Sequence, residues 1–308
     1  MTKIPHSSGD ALADRRADHA RNYASDGDFL AAAELMAQAL ERVPDWIAGW
    51  DLLGGYYEKA GEVARALAAW RQLEALDDHG DFGARLKLAA HGASSAGEGT
   101  AVSYVEALFD QYAARFEVAL VDRLGYRVPE LLDGLIDKAM GGLGIARFAN
   151  VLDLGCGTGL MGVRLRGRAA LLTGIDLSAA MIAETARKGI YDRLEKAELV
   201  EFLRRQTAQA DLVAAADVFI YCGALPPVLA AVVPAMAAGG LLAFSLEAHE
   251  GEEAVFLRPS LRYAHGVAAT RQALADVGLQ VLHFELAPLR QDRGAPILGM
   301  LIVARKPA

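Results

Sequence analysis

The chain is 308 residues long, 53% hydrophobic, and carries a formal net charge of −8. That acidity excludes the basic footprint needed for nucleic acid or anionic lipid, and no run of about 18 apolar residues offers a membrane span. The first twenty residues hold no apolar signal run, and the two cysteines, Cys156 and Cys222, have neither disulfide-scaffold nor metal-ligand spacing. The expectation is a cytoplasmic protein with no nucleic-acid or membrane partner and no metal.

Residues 1–12 read as a flexible N-terminus. An offset of 34 residues then places Tyr23 on Tyr57, Gly27 on Gly61, Ala32 on Ala66, Met36 on Trp70 and Ala20 on Gly54, while Pro44 meets Asp78. This predicts two helix–turn–helix units, 13–46 and 47–80, with small residues where the helices cross. The pattern resembles the tetratricopeptide repeat, with Trp50, Leu53, Gly54, Tyr57, Gly61 and Ala66 at the positions that family uses. Arg16 and His19 depart from it, standing where the first repeat would carry Trp and Leu. Two repeats bury too little alone, so Phe82, Leu86 and Leu88 are read as a capping helix that completes an all-α domain over 13–91. The small, polar stretch 92–100 reads as a linker.

The pattern changes from residue 101. Tyr104, Leu108, Tyr112, Phe116, Leu120 and Leu124 recur every four residues, predicting an amphipathic helix or pair of helices. With a second helical stretch punctuated by Pro129 and Gly141–Gly142, they make 101–145 a helical segment ahead of the sheet. Seven strand candidates follow: ANVLDL, ALLTGID, AELVEF, ADLVAAADVFIY, GLLAFSLE, LQVLHFEL and GMLIVARK. Helices separate the first five, which indicates an α/β, doubly wound, mainly parallel, Rossmann-like sheet filling 101–308. The last two are read as a closing hairpin with one antiparallel strand.

Ligands of such sheets bind beyond the carboxyl ends of the strands. VLDLGCGTG puts Gly155, Gly157 and Gly159 at that end of the first strand, where bare backbone leaves room for a ligand. Asp176 closes the second strand, placed to accept hydrogen bonds from a ribose diol. Together they indicate an adenosine-containing cofactor. GTGLMG matches the dinucleotide spacing, but Asp153 two residues before Gly155, the acid in AELVEF and Asp217 on the fourth strand argue against NAD.

VLDLGCGTG followed by GIDLSAAMI resembles the class I S-adenosylmethionine-dependent methyltransferases, and LFDQYAARFE resembles the helical lid segment that precedes their sheet. Repeats, lid and sheet together are similar to a bacterial group of repeat-containing methyltransferases. The resemblance implies S-adenosylmethionine as methyl donor and S-adenosylhomocysteine as product. It implies that Asp153 contacts the methionine portion, through water, with Gly155, Cys156 and Gly157 along its path. Asp176 would hold the ribose, Leu177 and Met181 would pack beside the adenosine, and Glu198 with Leu199 would stand near the adenine amine. Asp217 would open the loop facing the methyl group. Glu198 departs from the more usual Asp.

Methyl transfer needs an aligned nucleophile, and a base only if that nucleophile arrives protonated. Tyr104, Tyr112 and Phe116 are the lid candidates for the acceptor side, and Tyr221 the candidate after the fourth strand. Pro259, Arg262, Tyr263 and His265 cluster in what reads as a loop, with His265 as a general base and Arg262 as an anchor for a carboxylate or phosphate. His249, among acids, is expected to be solvent-exposed, and Cys156 to pack rather than react. Cys222 lacks the context of a covalent pyrimidine mechanism, and DVFIYCGALPP lacks the tetrapeptide of amino-methylating DNA enzymes. The leading expectation is methylation of a small-molecule acceptor, with the repeats used for self-association or a protein partner. The alternatives are a protein-directed enzyme and a non-catalytic scaffold that binds the cofactor.

Overall fold

The computed structural model describes residues 7–94, 100–113, 116–117, 124–207, 209–292 and 294–308, without the side chains at 100 and 101. The chain forms two compact units, 1–104 and 105–308.

The first unit contains α1 (Ala11–Ser25), α2 (Phe29–Leu40), α3 (Ile47–Lys59), α4 (Val63–Leu76) and α5 (Ala84–Ala90). Its N-terminal end differs from the expected flexible segment. Asp10 caps α1 by accepting from the amides of Leu12 and Ala13, and Ser8 and Ser7 hydrogen-bond to Asp14. Alanines Ala13, Ala17 and Ala20 on α1 and Ala32, Ala33 and Ala39 on α2 are wholly buried, so the two backbones approach closely. The 34-residue equivalences have structural counterparts: Met36 and Trp70 are both buried, and Gly27 and Gly61 both turn at positive φ, 85° and 79°. Gly54 is fixed by the neighbouring helix, because a Cβ there would lie 2.2 Å from the Trp70 indole nitrogen. Of the expected linker, residues 95–99 lie outside the described residues and Thr100 already begins α6 (Thr100–Tyr112).

The second unit runs α7 (Val128–Leu143), β1 (Phe148–Leu154), α8 (Leu160–Leu165), β2 (Ala169–Asp176), α9 (Ala179–Ala186), β3 (Arg193–Lys196) and α10 (Leu199–Arg204). It continues with β4 (Ala210–Ala215), α11 (Leu225–Ala235), β5 (Met236–His249), β6 (Val255–Leu257), β7 (Tyr263–Gly266), α12 (Val267–Asp276), β8 (Gln280–Asp292) and β9 (Ala295–Arg305). Strands β3-β2-β1-β4-β5 pair in parallel; β9 lies antiparallel between β5 and β8. Side chains alternate faces with period two. Val151, Leu212, Ala214, Leu241 and Ala243 face one layer, while Leu152, Val213, Ala215, Leu242 and Phe244 face the other. Both faces are covered, which explains the nearly continuous apolar strands.

Among the described residues nine strands stand where seven were expected. AELVEF is not a strand: its Glu198 carboxylate accepts from the amides of Val200 and Glu201 and starts α10, so capping outweighs the apolar run. The third strand is the earlier, polar segment Arg193–Lys196. The fourth ends at Ala215, because Asp217 takes φ 63° and a 3-10 turn follows at Phe219–Tyr221. The segment read as a loop contains β7. Glu247 of β5 is in register with both Gly299 of β9 and Ala264 of β7, so these flank it on opposite edges. β5 therefore outruns β4 and takes up β7 on the edge that β4 leaves.

Gly54→Val should drive a methyl-bearing side chain into Trp70 and destabilise the first unit by about 1–3 kcal/mol. All three tryptophans lie in that unit, so denaturation followed by tryptophan fluorescence checks it directly.

Candidate active site

The chain leaves β1 through three glycines at positive φ: Gly155 at 59°, Gly157 at 53° and Gly159 at 88°. Gly155 is also constrained by space, since a Cβ there would meet Val218 at 2.6 Å. The Cys156 amide donates to the Ile175 carbonyl at 2.8 Å, pinning this turn to β2. Asp176, 8% exposed, accepts from the Gly157 amide on Oδ2 and the Ser178 amide on Oδ1, both at 2.8 Å. Burial is the main influence on its carboxyl and raises its pKa, with these amide bonds opposing. Two donors hold the carboxylate in place, and each oxygen keeps a further lone pair. That is the donor–acceptor pattern a vicinal diol requires, and among the described residues a Cβ on Gly157 would meet only the Phe116 ring, 3.9 Å away.

Asp153, next to last in β1, is 1% exposed. Burial pushes its pKa up to about 7, opposed by a hydrogen bond from the Tyr191 hydroxyl at 2.5 Å, with Asp176 raising it further. Tyr191 reaches this point by lying over Gly162 and Gly174, where any Cβ would collide with its ring. Tyr191 does not stand out in the sequence, where its signal is the pair of glycines that accommodate it.

Helix α6 is tied above these strand ends. Asp110 accepts from the Ser178 hydroxyl at 2.6 Å and the Ala180 amide at 3.2 Å, and Glu106 pairs with Lys196 at 2.6 Å. Among the expected lid aromatics, Phe116 stacks edge-on with Phe109 at 5.9 Å, and Phe109 meets Tyr221 at 5.5 Å and 84°. Phe109 was missed, although it belongs to the lid motif. Tyr112, expected at the acceptor, is instead 53% exposed at the helix end, and Tyr104 belongs to the first unit, against Gly83. Leu120 lies outside the described residues.

The remaining cofactor candidates divide. Met181 is fully buried and Cys156 nearly so, Leu177 is half-buried at the end of β2, and Leu199 packs into the core beside α10. Burial raises both thiols, Cys222 to about 12, which suits packing and not nucleophilic chemistry. Glu198 caps α10, its carboxylate accepting from the amides of Val200 and Glu201 as the Asp176 carboxylate accepts from two amides of its own turns. Asp217 stands after β4 as expected, its carboxylate ion-paired with Arg290 at 3.0 Å and its amide donating to the Ser245 hydroxyl.

Arg290, 3% exposed, also bonds Glu247, which pairs in turn with Arg258 at 2.9 Å. The register of β8 shifts between Pro288 and Arg290, so Leu289 and Arg290 are both buried. A bulge of this kind re-aims a side chain, and Pro288, which has no amide donor, suits it. Neither arginine was anticipated for this cluster. Arg262 donates from Nε to the Tyr221 hydroxyl at 3.2 Å. His265 is 1% exposed on β7, with Nε2 3.0 Å from the Gly223 carbonyl, so Nε2 carries the proton. Burial lowers its pKa to about 4. Tyr263 is buried on the same strand, and Pro259 lies outside it. His249 is not solvent-exposed as expected: it stacks on Phe256 and pairs with Glu253 at 2.9 Å, its side chain 16% exposed.

A glycine turn and paired acids at the switch point of a parallel sheet with an antiparallel closing strand define a nucleoside-binding Rossmann-like domain. Residues 152–242 match a family profile described as a methyltransferase domain. The second unit therefore carries a methyltransferase domain over these residues. The chain is 35% identical over 109 residues to a malonyl-[acyl-carrier protein] O-methyltransferase of Enterobacter lignolyticus, covering 35% of this chain and 43% of that protein. It is 40% identical over 62 residues to a TPR repeat-containing protein of Pseudomonas aeruginosa, covering 20% of this chain and 59% of that one. The chain thus spans only about half the length of these curated relatives. A Burkholderia thailandensis 1,6-didemethyltoxoflavin-N1-methyltransferase shares the fold with TM-score 0.54 and 16% identity, over 70% of this chain and 93% of that one. Magnesium protoporphyrin IX methyltransferase from Synechocystis matches with TM-score 0.50 and 18% identity, over 67% and 99%.

Asp153 makes stability depend on pH. Its folded pKa of about 7 lies above the ordinary 3.8. Between those values the folded chain holds a proton that the unfolded chain has lost, so stability falls as pH rises from about 4 to about 7. Asp153→Asn should flatten that slope. Tyr191→Phe, which removes the bond favouring the carboxylate, should extend it to higher pH. Thermal unfolding of the ligand-free protein across pH 4–9 measures both.

Proposed function

We propose that this chain transfers the methyl group of S-adenosylmethionine to a small-molecule acceptor. The observation that carries this reading is the Asp176 carboxylate, held by the Gly157 and Ser178 amides beside three positive-φ glycines. Asp176 would take the ribose diol, the Gly155–Gly157 turn would line the path of the methionine portion, and Asp153 would answer its positive charge. Met181 and Leu177 would flank the adenosine. The bound donor supplies an electrophilic methyl carbon. The acceptor's lone pair forms the new bond to that carbon while the carbon–sulfur bond breaks and its electron pair stays on sulfur, giving S-adenosylhomocysteine.

The protein's contribution is alignment and exclusion of water. Phe109, Phe116 and Tyr221 would wall the acceptor side. His265 is a poor base near neutral pH, because its pKa of about 4 leaves it neutral and weakly basic. An acceptor that arrives with its lone pair free needs no base, which agrees with this site. The first unit would be a tetratricopeptide-repeat pair with its capping helix, serving self-association or a protein partner. Its 34-residue equivalences and the likeness to the Pseudomonas protein support that assignment.

Asp176→Ala should weaken S-adenosylhomocysteine binding by about one to two orders of magnitude, from the loss of charge-assisted hydrogen bonds. Calorimetric titration of wild type and variant provides the check; unchanged affinity overturns the ribose assignment.

A further inference from the structure

Beyond the cofactor half of the site lies a group of charged side chains that methyl-donor binding does not use. Arg258 and Arg290 share the carboxylates of Glu247 and Asp217. Arg262 hydrogen-bonds neither: among the described residues its hydrogen-bond partner is the Tyr221 hydroxyl, and Asp217 and Glu247 act on it only through space. That bond takes the Nε edge of the guanidinium and leaves the Nη1–Nη2 fork, the edge whose geometry matches a carboxylate. Three guanidinium groups therefore stand against two carboxylates, both already engaged by the other two. Arg262 is half-buried, so its fork can meet a ligand while its charge, unpaired by any direct ion pair among the described residues, remains to be matched.

Position adds to chemistry. Phe116 lies over the bare backbone of Gly157, Phe109 meets Phe116 and Tyr221 edge-on, and Tyr221 holds Arg262. An unbroken aromatic wall thus runs from the glycine turn to the guanidinium. We propose that Arg262 is the anchor of the acceptor, and that the acceptor is a small molecule bearing a carboxylate on an apolar, ring-sized body. The carboxylate meets the Nη fork and the body lies along Phe109 and Phe116. This rests on the reading of the cleft as a methyl-transfer site; it adds the acceptor's charge and shape.

The test uses the full chain saturated with S-adenosylhomocysteine and titrated with benzoate, with benzamide as its neutral isostere, and with inorganic phosphate. Benzoate should bind, and benzamide at least about tenfold more weakly. Arg262→Gln should weaken benzoate by about tenfold or more, a loss typical of a charge-assisted pair, while Arg262→Lys should retain part of it. S-adenosylhomocysteine affinity, measured on each variant, should stay unchanged and reports that the fold is intact. Absent benzoate binding, equal binding of benzamide, or indifference to Arg262→Gln overturns the proposal. Phosphate binding as tightly as benzoate overturns the ring-bearing carboxylate in favour of a free oxyanion. Benzoate binding to a protein that ignores S-adenosylhomocysteine would instead reject the methyl-transfer reading and leave the anion site standing.

Discussion

The carboxylate of Asp176 is the tie on which the cleft depends. It closes β2, yet one of its oxygens receives the amide of Gly157, in the turn that leaves β1, and the other the amide that opens α9. Two adjacent parallel strands end with unpaired backbone groups, and one side chain joins the turns that follow them. The glycines make this possible by adopting positive φ, and the Cys156–Ile175 bond locks the same turn from the backbone side. Ser178 extends the tie outward, because its hydroxyl donates to Asp110 on α6. A carboxylate that organises backbone in this way is fixed before any ligand arrives, which lowers the cost of binding one.

The opposite half of the cleft is built on arginine. Arg290 joins Asp217 after β4 to Glu247 near the end of β5, and Arg258 reaches the same glutamate. Removing one member of such a buried pair typically costs about 3–5 kcal/mol, since the survivor is left uncompensated. The cluster therefore fixes the loop after β4, where Asp217 takes a backbone conformation that few residues other than glycine adopt.

The sequence made the Rossmann-like layering legible because its signal is redundant: buried parallel strands are apolar throughout, and glycine punctuates the one turn that needs it. The 34-residue offset was legible for the same reason, each buried position being stated twice. What failed was local competition. Glu198 reads as part of an apolar strand until its carboxylate is seen to satisfy two amides. β7 reads as a loop because its four residues follow Pro259 and Arg262, and its pairing partner exists only because β5 outruns β4. The arginine cluster was invisible for a different reason: Arg290 is brought inward by a bulge at Pro288, and a one-residue change of register turns a side chain from one face to the other. Sequence periodicity carries no record of such a shift.

The two halves of the cleft differ in charge, the arginine half keeping one guanidinium more than the Glu247 and Asp217 carboxylates paired within it. Asp153 and Asp176 lie on the glycine side, Arg258, Arg262 and Arg290 on the other, and the aromatic wall of Phe116, Phe109 and Tyr221 runs between. In the proposed reaction a sulfonium donor with its own ammonium group would occupy the acidic half and an anionic acceptor the basic half. The partners would then be drawn to their places by the same field that aligns them, and orientation is where most of such a rate enhancement arises. A neutral, low-pKa histidine fits the same logic. A protonated imidazole at position 265 would add a fourth cation to the arginine side; burial keeps it uncharged, with its proton on the Gly223 carbonyl side. Fixed charges on both sides would then hold the two partners still while the methyl group passes between them.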